Sequence, residues 1–227
     1  MCVAFRSKNE VVYDLLRTSI IRGEYPPGSR LVIDELAASL GVSQIPIRES
    51  MRQLEADGFI AFEPYIGAKI TEINADLIFE VFALLETMEI ICSRAAIRRM
   101  TDADLKALAD LVYRMDSSIS DPEQWSQDNK ELHLFICQCA KTGLTLKFMQ
   151  NVLAHWDRLR FHYLKDVFGN RIKVAQEEHK QILEAFRTRN PDEVERMIRE
   201  HNRHALTSYI QHLRSTEQIQ AEQEGYL

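Results

Sequence analysis

The chain has 227 residues, 45% of them hydrophobic and 27% charged, and a formal net charge of −6, the profile of a globular chain with room for one large domain or two small ones. No run approaches the roughly 18 consecutive apolar residues of a membrane span, the first residues lack the regions of a signal peptide, and cysteines 2, 92, 137 and 139 show no paired framework, so a reducing cytoplasm is expected. The acidic balance excludes a generally basic nucleic-acid coat: residues 1–70 carry eight Lys/Arg against nine Asp/Glu, so any DNA contact has to come from a local patch.

Val11, Val12, Leu15, Leu16, Ile20 and Ile21 form a helical stripe over Asn9 to Arg22, ended by Gly23 and the turn Tyr25-Pro26-Pro27-Gly28. Two short helices follow within Leu31 to Ile60. Leu31, Leu36, Ala37 and Leu40 give the apolar side of the first, and Gly41 stands where a left-handed cap ends a helix. Ser43 is a natural N-cap for the second, with Pro46 in its first turn, where a missing N–H costs little. Ile47, Met51 and Leu54 make its buried stripe, while Gln44, Ile45, Arg48, Glu49 and Arg52 lie on or near the opposite face. A helix–turn–helix lays such a face in the major groove, where Arg suits guanine and Gln suits adenine. Gly58 closes the helix, and the runs Phe59 to Phe62 and Ala68 to Thr71 predict a hairpin, or wing. The expected DNA-contacting residues are Arg30, Ser43, Gln44, Ile45, Arg48, Arg52, Gly67 and Lys69. A two-helix corner with a glycine turn is also common in ordinary helical proteins; the wing is what favours DNA.

This stretch resembles the GntR transcription regulators. The resemblance lies in Gly23, Pro27-Gly28-Ser29-Arg30-Leu31, Leu36-Ala37, Gly41-Val42-Ser43, Pro46-Ile47-Arg48-Glu49, Leu54-Glu55-Ala56-Asp57-Gly58 and Gly67, nearly the whole of residues 9–71. It departs at Gln44, where the family usually has Arg, and at Ile33 and Asp34, where polar or basic residues are more usual.

Beyond a short linker at Thr71 to Asn74 the pattern is helical throughout. Expected helices run over Ala75 to Met100, Thr101 to Ser117, Asp121 to Cys139, Leu144 to Leu164, Asn170 to Thr188 and Pro191 to Leu213. The fold class is therefore mostly α: a winged helix–turn–helix domain over 1–73, an all-α bundle over 74–214, and a polar tail over 215–227 expected to fray.

Asn129 and His133 are four residues apart and share one helix face, and His179 and His201 fall on two further helices. Three imidazoles and an amide oxygen can make a half-open metal site, with Gln176 and Glu178 as supports and Cys137 one turn beyond His133. Such a set suits zinc, nickel, copper or iron better than magnesium or calcium; zinc is the first expectation, with nickel, iron and manganese next. Each histidine can equally be an ordinary hydrogen-bonded core or surface residue.

Residues 74–213 resemble the helical effector-binding domain of the FadR subfamily, called FCD, with Asn129, His133, the segment Glu178-His179-Lys180-Gln181-Ile182-Leu183 and His201 in register. The resemblance implies a metal held by those four residues beneath an effector pocket. Phe82 stands where the family typically has Arg, which points to a more apolar pocket or moves anion binding to Arg158, Arg160 and His162, residues that can also form a solvated helix face. The expected function is that of a homodimeric, ligand-responsive regulator reading a palindromic double-stranded DNA operator, with a small organic acid as effector. The alternatives are a regulator with the metal itself as signal and a metal-dependent hydrolase or lyase, for which no HExxH or comparable signature is present.

Overall fold

A computed structural model describes residues 7–163 and 165–224. The chain divides into two compact units, the first running to Asn74 and including Asp157–His162, the second made of Ala75–Trp156 and the residues from Tyr163 onward.

The first unit holds α1 (Lys8–Ile21), β1 (Arg30–Leu31), α2 (Ile33–Leu40), α3 (Gln44–Ala56), β2 (Ile60–Glu63) and β3 (Gly67–Ile70). Ser7 and Glu10 form a reciprocal capping box at the head of α1. Gly41 takes the left-handed conformation at φ 64°, its N–H closing on Ala37 O, and so turns α2 into α3. Ser43 occupies the N-cap position of α3 without a side-chain capping bond. Ile47, Met51 and Leu54 are 0% exposed and pack α3 on α1, each contributing roughly 1.5–3 kcal/mol by burial. Two hydrogen bonds tie the same helices: the Tyr13 hydroxyl donates to Asp57 at 2.6 Å, and Ser50 Oγ donates to Asn9 O at 2.8 Å.

The wing is antiparallel, as the hairpin predicts, and its strands lie in the order β1-β3-β2. The third strand was not foreseen. Arg30 pairs with Lys69 and Leu31 with Ala68, a register that joins the start of the corner to the wing.

The six expected helices follow, in the second unit except for the Asp157–His162 stretch of α7: α4 (Ala75–Ala96), α5 (Asp102–Ser117), α6 (Pro122–Ala140), α7 (Gly143–Tyr163), α8 (Lys165–Arg187) and α9 (Pro191–Glu224). Thr101 with Asp104 forms a second capping box, and Asp121 caps α6 with Pro122 in its first turn. α4 packs against α6 and α9, α5 against α6 and α8, and α8 against α9. Three boundaries are corrected. α4 ends at Ala96, short of Met100, and α8 begins at Lys165, ahead of Asn170. The tail expected to fray from Ser215 continues α9 to Glu224, because nothing between Ser215 and Glu224 breaks a helix; residues 225–227 lie outside the described residues. No described helix is long and apolar enough to cross a membrane.

Candidate functional site

In the first unit, the face of α3 opposite its buried stripe carries the expected DNA-contacting side chains. Ser43, Gln44, Arg48 and Arg52 are exposed, and Ile45 is 68% exposed, a large apolar side chain presented to solvent at the head of the helix. Arg48 donates to Gln44 Oε1 at 3.1 Å, and Gln44 donates to Asp34 of α2. The β1–β3 pairing sets Arg30 opposite Lys69, and the Arg30 guanidinium lies over Gly67, where a Cβ would meet it at 3.7 Å. Lys69 also has two carboxylates near it, Glu63 at 3.8 Å and Glu72 at 3.9 Å, which lower its value as a phosphate contact.

In the second unit, α6, α8 and α9 bring His133, His179 and His201 together, with one ligand atom of each within 4.8 Å of the others. His179 stands at the centre: its ring lies 4.8 Å from that of His201 and 5.8 Å from that of His133, and stacks on Trp125 at 5.6 Å. The Oδ1 of Asn129 and both ring nitrogens of His179 are buried with no hydrogen-bond partner among the described residues. A buried polar atom left unpaired costs about 1–3 kcal/mol, so these orphans, converging with two further imidazoles, fit a metal ion. Three of the four residues the sequence pattern named, His133, His179 and His201, are thus brought into one cluster.

Two carboxylates orient the outer imidazoles. Glu89 Oε1 accepts from His133 Nδ1 at 2.9 Å and its Oε2 accepts from Asn202 at 2.7 Å; Glu178 accepts from His201 Nδ1 at 2.7 Å and from His204 Nδ1 at 2.9 Å. A carboxylate only accepts, so each Nδ1 carries a proton, and when the ring of His133 or His201 is neutral its Nε2 is the nitrogen left for a metal. Burial raises the Glu178 carboxyl, but bonds from His201 and Arg171 outweigh it and hold the group down to about 2; Glu89 is likewise lowered, burial being outweighed by His133 and Asn202. Burial, aided by His201 and His133, keeps His179 well below its ordinary value, hence neutral and able to ligate.

Glu178 is thus the support the sequence suggested, whereas Gln176 accepts from Trp125 Nε1 at 3.2 Å and donates to Val112 O at 2.8 Å, acting on the tryptophan instead. Glu89 was missed. Cys137 is buried with a free thiol and lines a small adjoining cavity with Cys92, His133 and His179.

Asn129, His133 and His201 also line a larger cavity in this unit, of about 40 Å³, walled by Phe82, Trp125, Trp156, Phe168 and Tyr209. Phe82 lines this cavity, edge-on to Tyr209 at 5.0 Å. The anion-binding expectation for the neighbouring arginines is corrected. Arg158 donates to Thr71 Oγ1 at 2.8 Å and to Thr71 O, Arg160 pairs with Asp157 at 3.3 Å, His162 is exposed, and all three fall in the first unit. Burial lowers Arg158 to about 10. The cation that does line the cavity is Arg171, which pairs with Glu178 and donates to His201 O at 3.3 Å, while its Nε is buried with no partner among the described residues.

Comparison with known proteins agrees with both halves. Residues 8–70 match the model for bacterial regulatory proteins of the gntR family, and residues 80–204 match that for the FCD domain. The chain is 25% identical over 197 residues to an uncharacterized HTH-type transcriptional regulator, YdhC, of Bacillus subtilis, covering 85% of this chain and 86% of that one. It is 28% identical over 179 residues to the Nta operon transcriptional regulator of Aminobacter aminovorans, covering 78% and 82%. Among solved structures, E. coli McbR/YncC shares the fold with a TM-score of 0.76 at 18% identity, over 91% of this chain and 99% of that one.

Proposed function

Given that the chain belongs to the GntR family, as a DNA-binding transcription regulator with an FCD domain and not an enzyme, we propose that its operator binding is modulated by a small organic acid held over a transition metal in the helical unit. The observation that carries this reading is the cluster of His133, His179 and His201 beside an aromatic-lined cavity that His133, His201 and the orphaned Asn129 also line.

Asn129, His133, His179 and His201 would hold the ion, zinc being the best match to three neutral imidazoles and an amide oxygen. When bound, the ion would supply positive charge to attract an anionic oxygen. The chain supplies the remainder. Glu89 and Glu178 fix the tautomers of His133 and His201, Arg171 offers its buried Nε–H to the effector's anionic group, and Phe82, Trp125, Trp156 and Phe168 enclose its apolar body. In a homodimer the α3 helix of each protomer enters the major groove of one half of a palindromic operator, where Gln44, Ile45, Arg48 and Arg52 reach base edges, and Ser43, Arg30, Gly67 and Lys69 meet the backbone or minor groove. An effector that binds more tightly to the DNA-free form than to the DNA-bound form then lowers operator affinity by the same factor, as linkage requires.

The test takes an operator selected from random duplexes by the full chain and measures its affinity against a panel of small monocarboxylates and dicarboxylates, with and without chelator. A carboxylate that shifts operator affinity only in the absence of chelator supports the reading. A shift indifferent to chelator and to His179→Ala removes the metal from it.

A further inference from the structure

Asp34, in the first turn of α2, is exposed beside the DNA-reading head of α3, where a negative charge opposes the phosphate backbone. Its carboxylate accepts from Nε2 of Gln44, the first residue of α3, and Oε1 of Gln44 accepts from Arg48 Nη2 at 3.1 Å, one turn further along. A carboxylate only accepts and a guanidinium only donates, so the amide between them has a single satisfied orientation. Turned over, it would set oxygen against oxygen at Asp34 and N–H against N–H at Arg48.

We propose that Asp34 is a positioning residue for sequence readout: it fixes the amide of Gln44, and through it the guanidinium of Arg48, so that α3 presents one donor–acceptor order to a base pair. The inference rests on the reading of α3 as the helix that enters the major groove. After these bonds Gln44 retains one N–H and one lone pair, and Arg48 retains its other N–H groups, so both remain able to meet a base edge. Their side chains are ordered before DNA arrives, so less conformational entropy is lost on binding the correct sequence. Asp34 itself adds nothing to phosphate attraction. Its removal should therefore raise affinity for DNA in general while lowering discrimination, a pair of opposite effects that a purely structural role would not produce.

The experiment uses the full chain and a half-site selected from random duplexes. Wild type, Asp34→Ala, Gln44→Ala, the double variant and Arg48→Ala are titrated against operators in which each base pair is replaced in turn. A well-made bidentate contact discriminates by roughly tenfold or more, and Asp34→Ala and Gln44→Ala should both reduce this to about twofold at the same base pair. The double variant should lose no more than Gln44→Ala alone, and Asp34→Ala should bind random duplex more tightly than wild type. Wild-type preferences at every position in Asp34→Ala, or losses that add to those of Gln44→Ala, overturn the proposal. Unchanged operator affinity in Arg48→Ala instead overturns the placement of α3, and the proposal with it.

Discussion

Replacing Glu89 by Gln changes one buried atom's chemistry at almost constant volume. Glu89 is 7% exposed and accepts two hydrogen bonds, from His133 Nδ1 at 2.9 Å and from Asn202 Nδ2 at 2.7 Å. A glutamine has one acceptor and one donor end. With its oxygen toward Asn202, its NH₂ faces the Nδ1–H of His133, and the ring relieves the clash by moving its proton to Nε2, the nitrogen left for a metal. With its oxygen toward His133, the clash moves to Asn202 and the negative charge that strengthens the imidazole as a donor is still gone. Loss of such a carboxylate behind a metal-ligating histidine typically costs 10–100-fold in metal affinity, about 1.4–2.7 kcal/mol. A competition titration of zinc against a chromophoric chelator measures it, with the melting temperature of the metal-free protein reporting the fold. Wild-type zinc affinity in a folded Glu89→Gln protein would refute the assignment of His133 as a ligand oriented through Nδ1.

Arg48→Ala should abolish specific operator binding while leaving the melting temperature and metal content intact, as a binding titration and elemental analysis would show. His179→Ala removes the central imidazole and should lower bound metal and the melting temperature together, because metal binding is linked to folding. Burial and the bond to Asp57 raise the Tyr13 hydroxyl above its ordinary value of 10.0. A raised folded-state value means that this contribution to stability is present below the ordinary value and is lost as pH rises toward the folded one. Denaturant midpoints should therefore fall above about pH 10 more steeply in wild type than in Tyr13→Phe.

The elements legible in the sequence are those fixed by neighbours in the chain. Gly41, the capping pair Thr101 and Asp104, and the stripe Ile47, Met51, Leu54 each sit within one or two helical turns of what they act on, and each does what its spacing implies. The histidine cluster was suggested by the spacing of Asn129 and His133 and by the family pattern, since helical periodicity places His133, His179 and His201 on faces without saying that the faces meet. What escaped depends on distant partners. Strand β1 is two residues long and exists because Arg30 and Leu31 pair with Lys69 and Ala68. Glu89 lies among the apolar positions of α4, and its role is set by His133 on α6 and Asn202 on α9. Arg158 and Arg171 have the same chemistry in sequence; only the fold sends one to Thr71 and the other to the cavity.

The claim that the helical unit holds a metal is tested most directly by elemental analysis of the purified full chain, beside the His133→Ala, His179→Ala and His201→Ala variants. The account predicts stoichiometric transition metal, zinc foremost, in the wild type and its loss in each variant. A wild-type protein that carries no metal and takes up none on titration with zinc, or variants that retain it in full, would contradict it.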